Sequence, residues 1–261
     1  MVELQSWLNG SITSKPVVSG NNRGLLVGLG VFETAKVSVG HVEFLERHLN
    51  RLEQAWVKVG TGELDVDYVR RGISAVLKAN SQFSDLARLR ITVTLEEQSP
   101  TILITMTPMQ PWPETTSCIV VPWVRNERSP LVGIKSTSYA DNILSLQWAQ
   151  NLGFAEGIYV NTVGELSEGT ATNIFLVHGD RVLTPRIESG VLPGVVRQVL
   201  LDHNLASEGV LTMNDLESAD EIFLTSSTRG VHPVALMGER QFPEIGPRTQ
   251  SIMSACHLLD K

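Results

Sequence analysis

The sequence predicts an α+β protein of two domains. Stretches with the two-residue alternation of strands and stretches with helical spacing occur in both halves, without the strict strand–helix repeat of a parallel sheet. The prolines Pro111 and Pro113 interrupt this pattern near the middle of the chain. We therefore expect an N-terminal α+β domain over residues 1–108, a linker over residues 109–117 and a C-terminal domain over residues 118–261.

The composition excludes several classes of function. The chain has 261 residues, of which 42% are hydrophobic and 19% charged, and its formal net charge is −7. An acidic globular chain of this kind gives no sign of nucleic-acid or membrane partners. Two cysteines are typical of a reducing compartment, and the sequence has neither a signal peptide nor an apolar run near the roughly 20 residues of a membrane span. We expect a soluble, cytoplasmic protein.

Turn signals and periodicity predict the elements of the first half. Asn9–Gly10 indicates a hairpin within residues 2–12. Gly28 and Gly30 lack the third glycine and the helix start of a dinucleotide-binding loop, so the stretch Leu25–Val37 is better explained as a strand that follows its glycines. Further along, the pattern predicts helices over Glu43–Trp56 and Asp65–Asn80, and strands over Ala87–Leu95 and Thr101–Thr107.

Arg51 lies on the inward stripe of the first long helix, together with Phe44, His48 and Ala55. A permanently charged guanidinium is unusual on an apolar face. Two interpretations remain open. The arginine is either paired with a carboxylate at the edge of the stripe, or directed inward at an anion such as phosphate.

The second half has the same mixture of signals. Gly179–Asp180 predicts a turn between two strands, and Pro193–Gly194 a turn before a helix. The predicted strands are Cys118–Val124, Ala155–Asn161, Asn173–Val177, Arg181–Thr184 and Glu221–Ser226, and helices are predicted after Lys135, after Gly194, and over Asp215–Ala219 and Gln250–Leu259.

Lys135 follows a short apolar run and opens a helix that includes Ile143, Leu144 and Trp148. Removing a charged amine from water is costly unless the amine is paired or neutralised. Conversion to an imine by a carbonyl cofactor would remove that cost. Taken alone, however, the residue is better explained by a lysine whose stem packs and whose amine reaches water.

Three other features suit pyridoxal phosphate, which needs an acid beside its ring nitrogen and a cup for its phosphate in addition to a lysine. Glu168 precedes an apolar strand and would keep a ring nitrogen protonated, although a solvated turn residue explains it equally well. The backbone amides of Val195 and Val196 begin a helix, where amides bind anions, although most such turns are ordinary caps. Thr225–Thr228 ends a strand with hydroxyl groups, which is commonly just a polar turn.

The order of these motifs resembles that of fold-type IV pyridoxal-phosphate enzymes, the class IV aminotransferase family. The family includes branched-chain and D-amino acid aminotransferases and aminodeoxychorismate lyases. The similarity covers most of the chain, and the motifs around Glu168 and Gly194 are its most distinctive parts. The matching segments are Gly30–Thr34, His48–Leu52, Gly133–Tyr139, Leu166–Phe175, Thr184–Pro185 and Val191–Arg197.

This resemblance implies two α+β domains of the D-amino acid aminotransferase-like fold, with pyridoxal 5'-phosphate between them, in a homodimer. It implies that Lys135 forms the Schiff base with the cofactor and removes the α-proton of the substrate, and that Glu168 pairs with the ring nitrogen. Tyr139 is implied beside the ring hydroxyl. The residues implied for the phosphate are Arg51, the amides of Val195 and Val196, and Ser227 or Thr228.

Within the family, Gly30–Thr34 and Val124–Pro130 resemble bacterial aminodeoxychorismate lyases more than branched-chain enzymes. The implied reaction converts 4-amino-4-deoxychorismate, a small-molecule amine, to 4-aminobenzoate and pyruvate in folate biosynthesis. The alternative function is a branched-chain or D-amino acid aminotransferase that transfers an amino group to a 2-keto acid. A more remote alternative is a non-catalytic binding protein. The candidate substrate contacts are Thr34, Arg23 and Arg229.

Other enzyme classes fit less well. Ser167 lacks the spacing of a hydrolase nucleophile, and the six histidines are too scattered for a metal site. The strand Arg88–Glu97 lacks both the Arg-x-His motif of D-amino acid aminotransferases and the Gly/Arg-rich loop of some lyases.

Overall fold

The computed structural model describes residues 3–60 and 62–259. These residues divide into two compact units. The first unit ends at Pro111 and also includes the separate segment Ile134–Tyr139, and the second unit contains the rest of the chain.

The chain changes units at Pro111, inside the predicted linker. The return of Ile134–Tyr139 was not expected. The sequence partition placed Lys135 in the C-terminal domain, whereas the structure groups it with the first unit. The reason is that the backbone of this segment hydrogen-bonds to a strand more than a hundred residues earlier, which no local pattern reveals.

The first unit combines a sheet with helices. Its strands are β1 (Ser6–Leu8), β2 (Ser11–Thr13), β3 (Gly30–Ser38), β4 (His41–Val42), β5 (Leu86–Glu96) and β6 (Ser99–Pro108), and its helices are α1 (Arg23–Val27), α2 (Leu45–Val59) and α3 (Val66–Ala79). In the described part of this unit, six strands form one antiparallel sheet in the order β2-β1-β6-β5-β3-β4.

Local signals set several of these bounds. Asn9 and Gly10 both have positive φ and form the tight turn between β1 and β2, as predicted. The carboxylate of Asp65 accepts a hydrogen bond from the Tyr68 amide at 2.8 Å and caps α3, so this predicted helix is also confirmed. The strand expected after the glycines of Leu25–Val37 is confirmed, because β3 begins at Gly30, whereas the helix α1 that precedes it was not predicted.

The core of the first unit lies on one face of its sheet. The inward side chains of α2, including Leu49, Leu52 and Trp56, are buried with strand residues such as Ile91 and Ile104. Because successive side chains of a strand point to opposite faces, alternate residues of β3 and β5 lie on the other face of the sheet. That second face carries Phe32, Thr34 and Arg90, which are discussed below.

The second unit also contains a mixed α+β architecture. Its strands are β7 (Thr116–Arg125), β8 (Glu156–Asn161), β9 (Leu166–Gly169), β10 (Asn173–His178), β11 (Arg181–Pro185), β12 (Ser207–Gly209), β13 (Glu221–Ser226), β14 (Gly230–Met237) and β15 (Arg240–Gln241), and its helices are α4 (Ala140–Asn151), α5 (Val195–Asp202), α6 (Met213–Ser218) and α7 (Pro247–Leu259).

Over the described residues, nine strands form the second sheet in the order β12-β11-β10-β13-β14-β7-β8-β9, with β15 paired to β14. The pairs β7–β8, β7–β14 and β11–β12 are parallel, and the others are antiparallel. The fully buried rings of Phe175 and Phe223 stack at a centroid distance of 4.7 Å across β10 and β13. The central strands are therefore rigid supports for the loops at their ends.

Two expectations for this unit need correction. The helix predicted to open at Lys135 begins at Ala140, and its apolar residues Ile143 and Leu144 are exposed rather than inward. Glu168 belongs to strand β9 and not to a turn. Strands β12, β14 and β15 were not predicted. Within the described residues, no helix has the length and apolar character needed to cross a membrane.

Candidate active site

In the first unit, Lys135 lies on a segment that hydrogen-bonds to the start of β3. The amide of Phe32 donates to the Lys135 carbonyl at 2.8 Å, and the amide of Thr137 donates to the Gly30 carbonyl at 2.9 Å. The Thr137 hydroxyl also donates to the Gly28 carbonyl at 2.7 Å. The backbone of Lys135 is therefore held against β3 by its own carbonyl and by Thr137, although Lys135 belongs to no regular element.

The side chain of Lys135 lies among aromatic rings. Its Nζ is 4.7 Å from the centroid of the Phe32 ring and 5.3 Å from that of Tyr139. The two rings contact each other edge-to-face at 5.2 Å. The structure thus brings together two predicted site residues, Lys135 and Tyr139, around Phe32, in a setting where a cation is stabilised by ring faces.

Arg90, which the sequence reasoning missed, lies at the same place. Its Cζ is 3.8 Å from the centroid of the Phe32 ring, and its Nε donates to Thr92 Oγ1 at 3.1 Å. Burial lowers the pKa of Arg90 from its ordinary value. The candidate substrate residue Thr34 pairs with Arg90 across β3 and β5. A two-residue alternation of Arg88, Arg90 and Thr92 in the sequence could have placed this arginine on the open face of the sheet.

Arg51 meets a buried carboxylate on the helix-covered face. Its Nε and Nη2 donate to the two carboxylate oxygens of Glu33, each at 2.7 Å, and His48 Nδ1 lies 2.7 Å from Glu33 Oε2. Burial by itself would raise the pKa of Glu33, but the Arg51 guanidinium and the hydrogen bonds from Arg51 and His48 lower it to about 2. The carboxylate interpretation of Arg51 is therefore confirmed, and its role toward an anion stays a prediction.

In the second unit, Glu168 is buried at the end of β9. Its Oε2 accepts a hydrogen bond from the Leu192 amide at 2.8 Å and lies 3.5 Å from Asn173 Nδ2. Its Oε1 lies 3.2 Å from Nη2 of Arg125, whose guanidinium also stacks on the Tyr159 ring at 4.2 Å. Arg125 and Asn173 were not singled out from the sequence: Arg125 is on a strand distant along the chain, and Asn173 begins the strand that follows β9.

The start of α5 lies next to the same residues. Asn173 donates from Nδ2 to the Leu192 carbonyl at 2.9 Å, and a methyl group at Gly194 would lie only 1.9 Å from Asn173 Oδ1. Among the described residues, no side chain caps α5. The helix therefore presents the amides of Val195 and Val196 at a turn where the backbone needs a glycine.

The turn after β13 lies at the same end of the second sheet. Asn173 pairs with Thr225 across β10 and β13, so the turn after Thr225 lies at the end of the sheet where β10 begins. Thr225 Oγ1 is buried and has no hydrogen-bond partner among the described residues. Ser227 and Thr228 are half-buried in this turn, and Ser226 Oγ lies 3.5 Å from Thr228 Oγ1.

The two other arginines proposed from the sequence have different surroundings. Arg229 is nearly buried, with its Nη2 3.3 Å from Glu156 Oε2 and its Cζ 4.3 Å from the Trp112 ring centroid. Arg23 is exposed at the start of α1 in the first unit. Thus Arg229 is engaged in an internal ion pair, and Arg23 is open to solvent.

In the first unit, Lys135 lies on an aromatic surface, with Arg90 against the same Phe32 ring and Arg51 on the helix-covered face of the sheet. In the second unit, Glu168 is buried, and no side chain of the described residues caps the start of α5. The sequence model of the amino-transferase class IV family matches residues 30–237, which is most of the chain.

The chain belongs to the class IV aminotransferase family. It is 26% identical over 268 residues to the aminodeoxychorismate lyase of Bacillus subtilis, which covers 94% of this chain and 89% of the relative. It is 24% identical over 262 residues to the D-alanine aminotransferase of Bacillus licheniformis, with 93% and 91% covered.

The fold of this chain is similar to that of a solved structure. The branched-chain aminotransferase of the archaeon Thermoproteus uzoniensis, crystallised with norvaline, superposes with a TM-score of 0.88 at 24% identity, over 97% of this chain and 93% of that one. This likeness confirms the predicted α+β architecture of fold-type IV enzymes.

Proposed function

We propose that this class IV family member is a 4-amino-4-deoxychorismate lyase, which uses pyridoxal 5'-phosphate to form 4-aminobenzoate and pyruvate. The coarser assignment, a fold-type IV enzyme that depends on pyridoxal phosphate, follows from family membership. The choice of reaction rests on the residues around Lys135 and on the lyase of Bacillus subtilis among the relatives.

Three features of the second unit suit the phosphate group of the cofactor. The start of α5 is uncapped among the described residues, and Gly194 lets its backbone approach closely. The buried Thr225 hydroxyl has no partner among those residues, so a phosphate oxygen nearby would satisfy it. A phosphate there would be bound by the amides of Val195 and Val196, with Ser227 or Thr228. Under the same proposal Arg51 is a further phosphate ligand.

Glu168 is assigned to the ring nitrogen. Its carboxylate is buried and oriented by the Leu192 amide, with Arg125 on the other oxygen. An acid fixed in this way can form a directed, charge-assisted hydrogen bond with a protonated ring nitrogen. Tyr139, which contacts Phe32 edge-to-face, is assigned to the ring hydroxyl.

Lys135 has two roles in the proposed reaction. When bound, pyridoxal phosphate supplies an aldehyde for an amine and a ring that withdraws electrons. Lys135 would hold the cofactor through its amine, and once a substrate amine had taken its place, the amine of Lys135 would be free to remove the proton from the substrate carbon that bears nitrogen. The bond between the ring carbon and the enolpyruvyl oxygen breaks, and the same amine returns a proton to the leaving pyruvate.

One observation supports an anionic substrate. Arg90 contacts the ring of Phe32 that Lys135 also contacts, so a guanidinium and the proposed reactive amine pack against the same aromatic ring. Thr34, Thr92 and Arg90 share that face of the sheet, and all are polar. A carboxylate of 4-amino-4-deoxychorismate is well suited to this surface, whereas a branched aliphatic side chain would gain little from it.

An aminotransferase is the second candidate, since the D-alanine aminotransferase of Bacillus licheniformis matches over a similar length. Transamination needs the same amine and acid, and Arg90 would then bind the α-carboxylate of an amino acid. The two candidates differ in whether the proton returns to the departing group or to the cofactor carbon.

A two-part assay separates these reactions. The purified protein with pyridoxal phosphate is given 4-amino-4-deoxychorismate alone, and pyruvate is measured. It is then given D-alanine or L-leucine alone, and the cofactor absorbance is followed. The lyase releases pyruvate without a second substrate. Conversion of the cofactor to its amine form by an amino acid, with no pyruvate from the chorismate derivative, would establish an aminotransferase instead.

A further inference from the structure

We propose that Glu33 and His48 are positioning residues that orient Arg51 toward the phosphate of the cofactor. This inference rests on the proposed function, because it takes Arg51 to be a phosphate ligand. It concerns two residues that were assigned no role from the sequence. Both act on Arg51 within the first unit.

Hydrogen bonds connect His48 to Glu33 and Glu33 to Arg51. The guanidinium of Arg51 uses Nε and Nη2 in a two-point contact with Glu33, at 2.7 Å each. The Glu33 oxygen that receives Nη2 also meets His48 Nδ1 at 2.7 Å. A planar fork of this kind fixes the plane of the guanidinium as well as its position.

Glu33 and His48 are polar side chains buried in an apolar core, and burying them costs desolvation free energy. The side chain of Glu33 is 2% exposed and that of His48 is 0% exposed. Glu33 points to the core face of β3, between Val31 and Ala35, where an apolar residue would be expected. His48 Nε2 is buried without a hydrogen-bond partner among the described residues. A buried polar atom that lacks a hydrogen-bond partner costs free energy, so a functional role would explain why His48 is kept in this core.

Glu33 has two opposite effects on phosphate binding by Arg51: it orients the guanidinium, but its negative charge opposes an anion. The negative charge of Glu33 reduces the attraction of Arg51 for any distant anion. At contact distance, however, phosphate binding by arginine depends on the direction of its N–H groups. An arginine side chain that is not held in place loses rotamer entropy when it binds a ligand. The two-point contact with Glu33 already restricts the Arg51 rotamer in the folded protein, so less entropy is lost on phosphate binding. We therefore expect Glu33 to increase phosphate affinity despite its charge.

The test compares a ligand with and without the phosphate. The full chain, freed of bound cofactor, is titrated with pyridoxal 5'-phosphate and with pyridoxal, and the two dissociation constants are measured by fluorescence. In Glu33→Gln, the constant for pyridoxal phosphate should rise by about tenfold or more, because the amide cannot accept both N–H groups of Arg51. The constant for pyridoxal should change less than twofold.

Two further variants act as controls. Glu33→Asp keeps a carboxylate and should recover part of the phosphate preference, which a purely structural role would not predict. Glu46→Gln removes another carboxylate that forms a two-point contact with an arginine, Arg70, on the surface of the same unit. This variant should leave both dissociation constants unchanged.

The Arg51 and Glu33 variants distinguish the positioning role of Glu33 from the role of Arg51 as a phosphate ligand. If Arg51→Gln does not alter the preference for the phosphorylated ligand, then Arg51 is not a phosphate ligand and the site assignment fails. If Arg51→Gln abolishes the preference but Glu33→Gln does not, the positioning role is wrong. Glu33→Asp supplies the same comparison if Glu33→Gln unfolds. A negative lyase assay leaves this test intact, because it measures ligand binding alone.

Discussion

The Nζ of Lys135 lies 4.7 Å from the centroid of the Phe32 ring. This contact joins a segment after residue 133 to a strand near residue 30, and the backbone hydrogen bond from the Phe32 amide to the Lys135 carbonyl holds the two segments together. A ring face stabilises a cation without accepting its proton in a directed hydrogen bond. The backbone pairing and the ring contact together keep the amine at a defined place in the first unit.

Replacing Lys135 should abolish covalent attachment of the cofactor. After borohydride treatment, mass spectrometry of a digest should find pyridoxyl phosphate on the peptide that contains Lys135. Lys135→Ala should show no such adduct, and its turnover should fall by roughly a thousandfold, since both the covalent bond and the proton transfer are lost. Lys36→Arg, a change on the neighbouring strand, should keep the adduct. An adduct that persists on another lysine in Lys135→Ala would refute the assignment.

Arg90 should act on substrate binding. Arg90→Gln removes the guanidinium beside Phe32, so the KM for 4-amino-4-deoxychorismate should rise by about tenfold or more, while cofactor affinity stays the same. Steady-state pyruvate release gives the KM. Arg88→Gln, two residues away on the same face and exposed, should have a smaller effect. Equal effects of both substitutions would indicate general electrostatics rather than a specific contact.

Glu33 should give the first unit a stability that depends on pH. Its pKa is lowered from an ordinary 4.5 to about 2, so its ionised form stabilises the folded state. This contribution, on the order of 3 kcal/mol, is complete above about pH 4.5 and disappears as the pH falls through about 2. Urea unfolding of wild type and Glu33→Gln should therefore differ most near pH 7 and converge in acid. A difference that stays constant with pH would contradict the ionised pair.

A side chain at Gly194 should disturb the start of α5. Gly194→Ala would place a methyl group 1.9 Å from Asn173 Oδ1, and relieving that clash should cost about 1–3 kcal/mol. Because the turn must move, the dissociation constant for pyridoxal phosphate should increase as well. Gly20→Ala is the matched control, since nothing lies within 4 Å of its new methyl group. Unfolding curves and cofactor titration of both variants provide the comparison.

Arg229 should affect stability more than substrate binding. Arg229→Met leaves Glu156 buried without its cation, and breaking a buried ion pair costs about 3–5 kcal/mol. Burial already raises the pKa of Glu156, and Arg229 opposes that rise. The double variant Arg229→Met with Glu156→Gln should regain part of the loss in urea unfolding. If Arg229→Met unfolds like wild type but has a raised KM, Arg229 is a substrate contact, as the sequence suggested.

The sequence by itself determined the local structure and the family. Helix α3 follows from helical spacing and the Asp65 cap, and the hairpin β1–β2 follows from Asn9–Gly10, because these signals involve neighbours within a few residues. The motifs around Lys135 and Glu168 also indicated the chemistry correctly at the level of the family.

Only the tertiary structure decided which residues meet. It assigned Lys135 to the first unit, and it brought Arg90 to the Phe32 ring and Glu33 to Arg51. These pairs depend on the register of β3 against β5, on the packing of α2 and on the return of the chain after Gly133. Periodicity specifies the face on which a side chain lies, but not which distant segment covers that face, because that choice is made by long-range backbone pairing and burial.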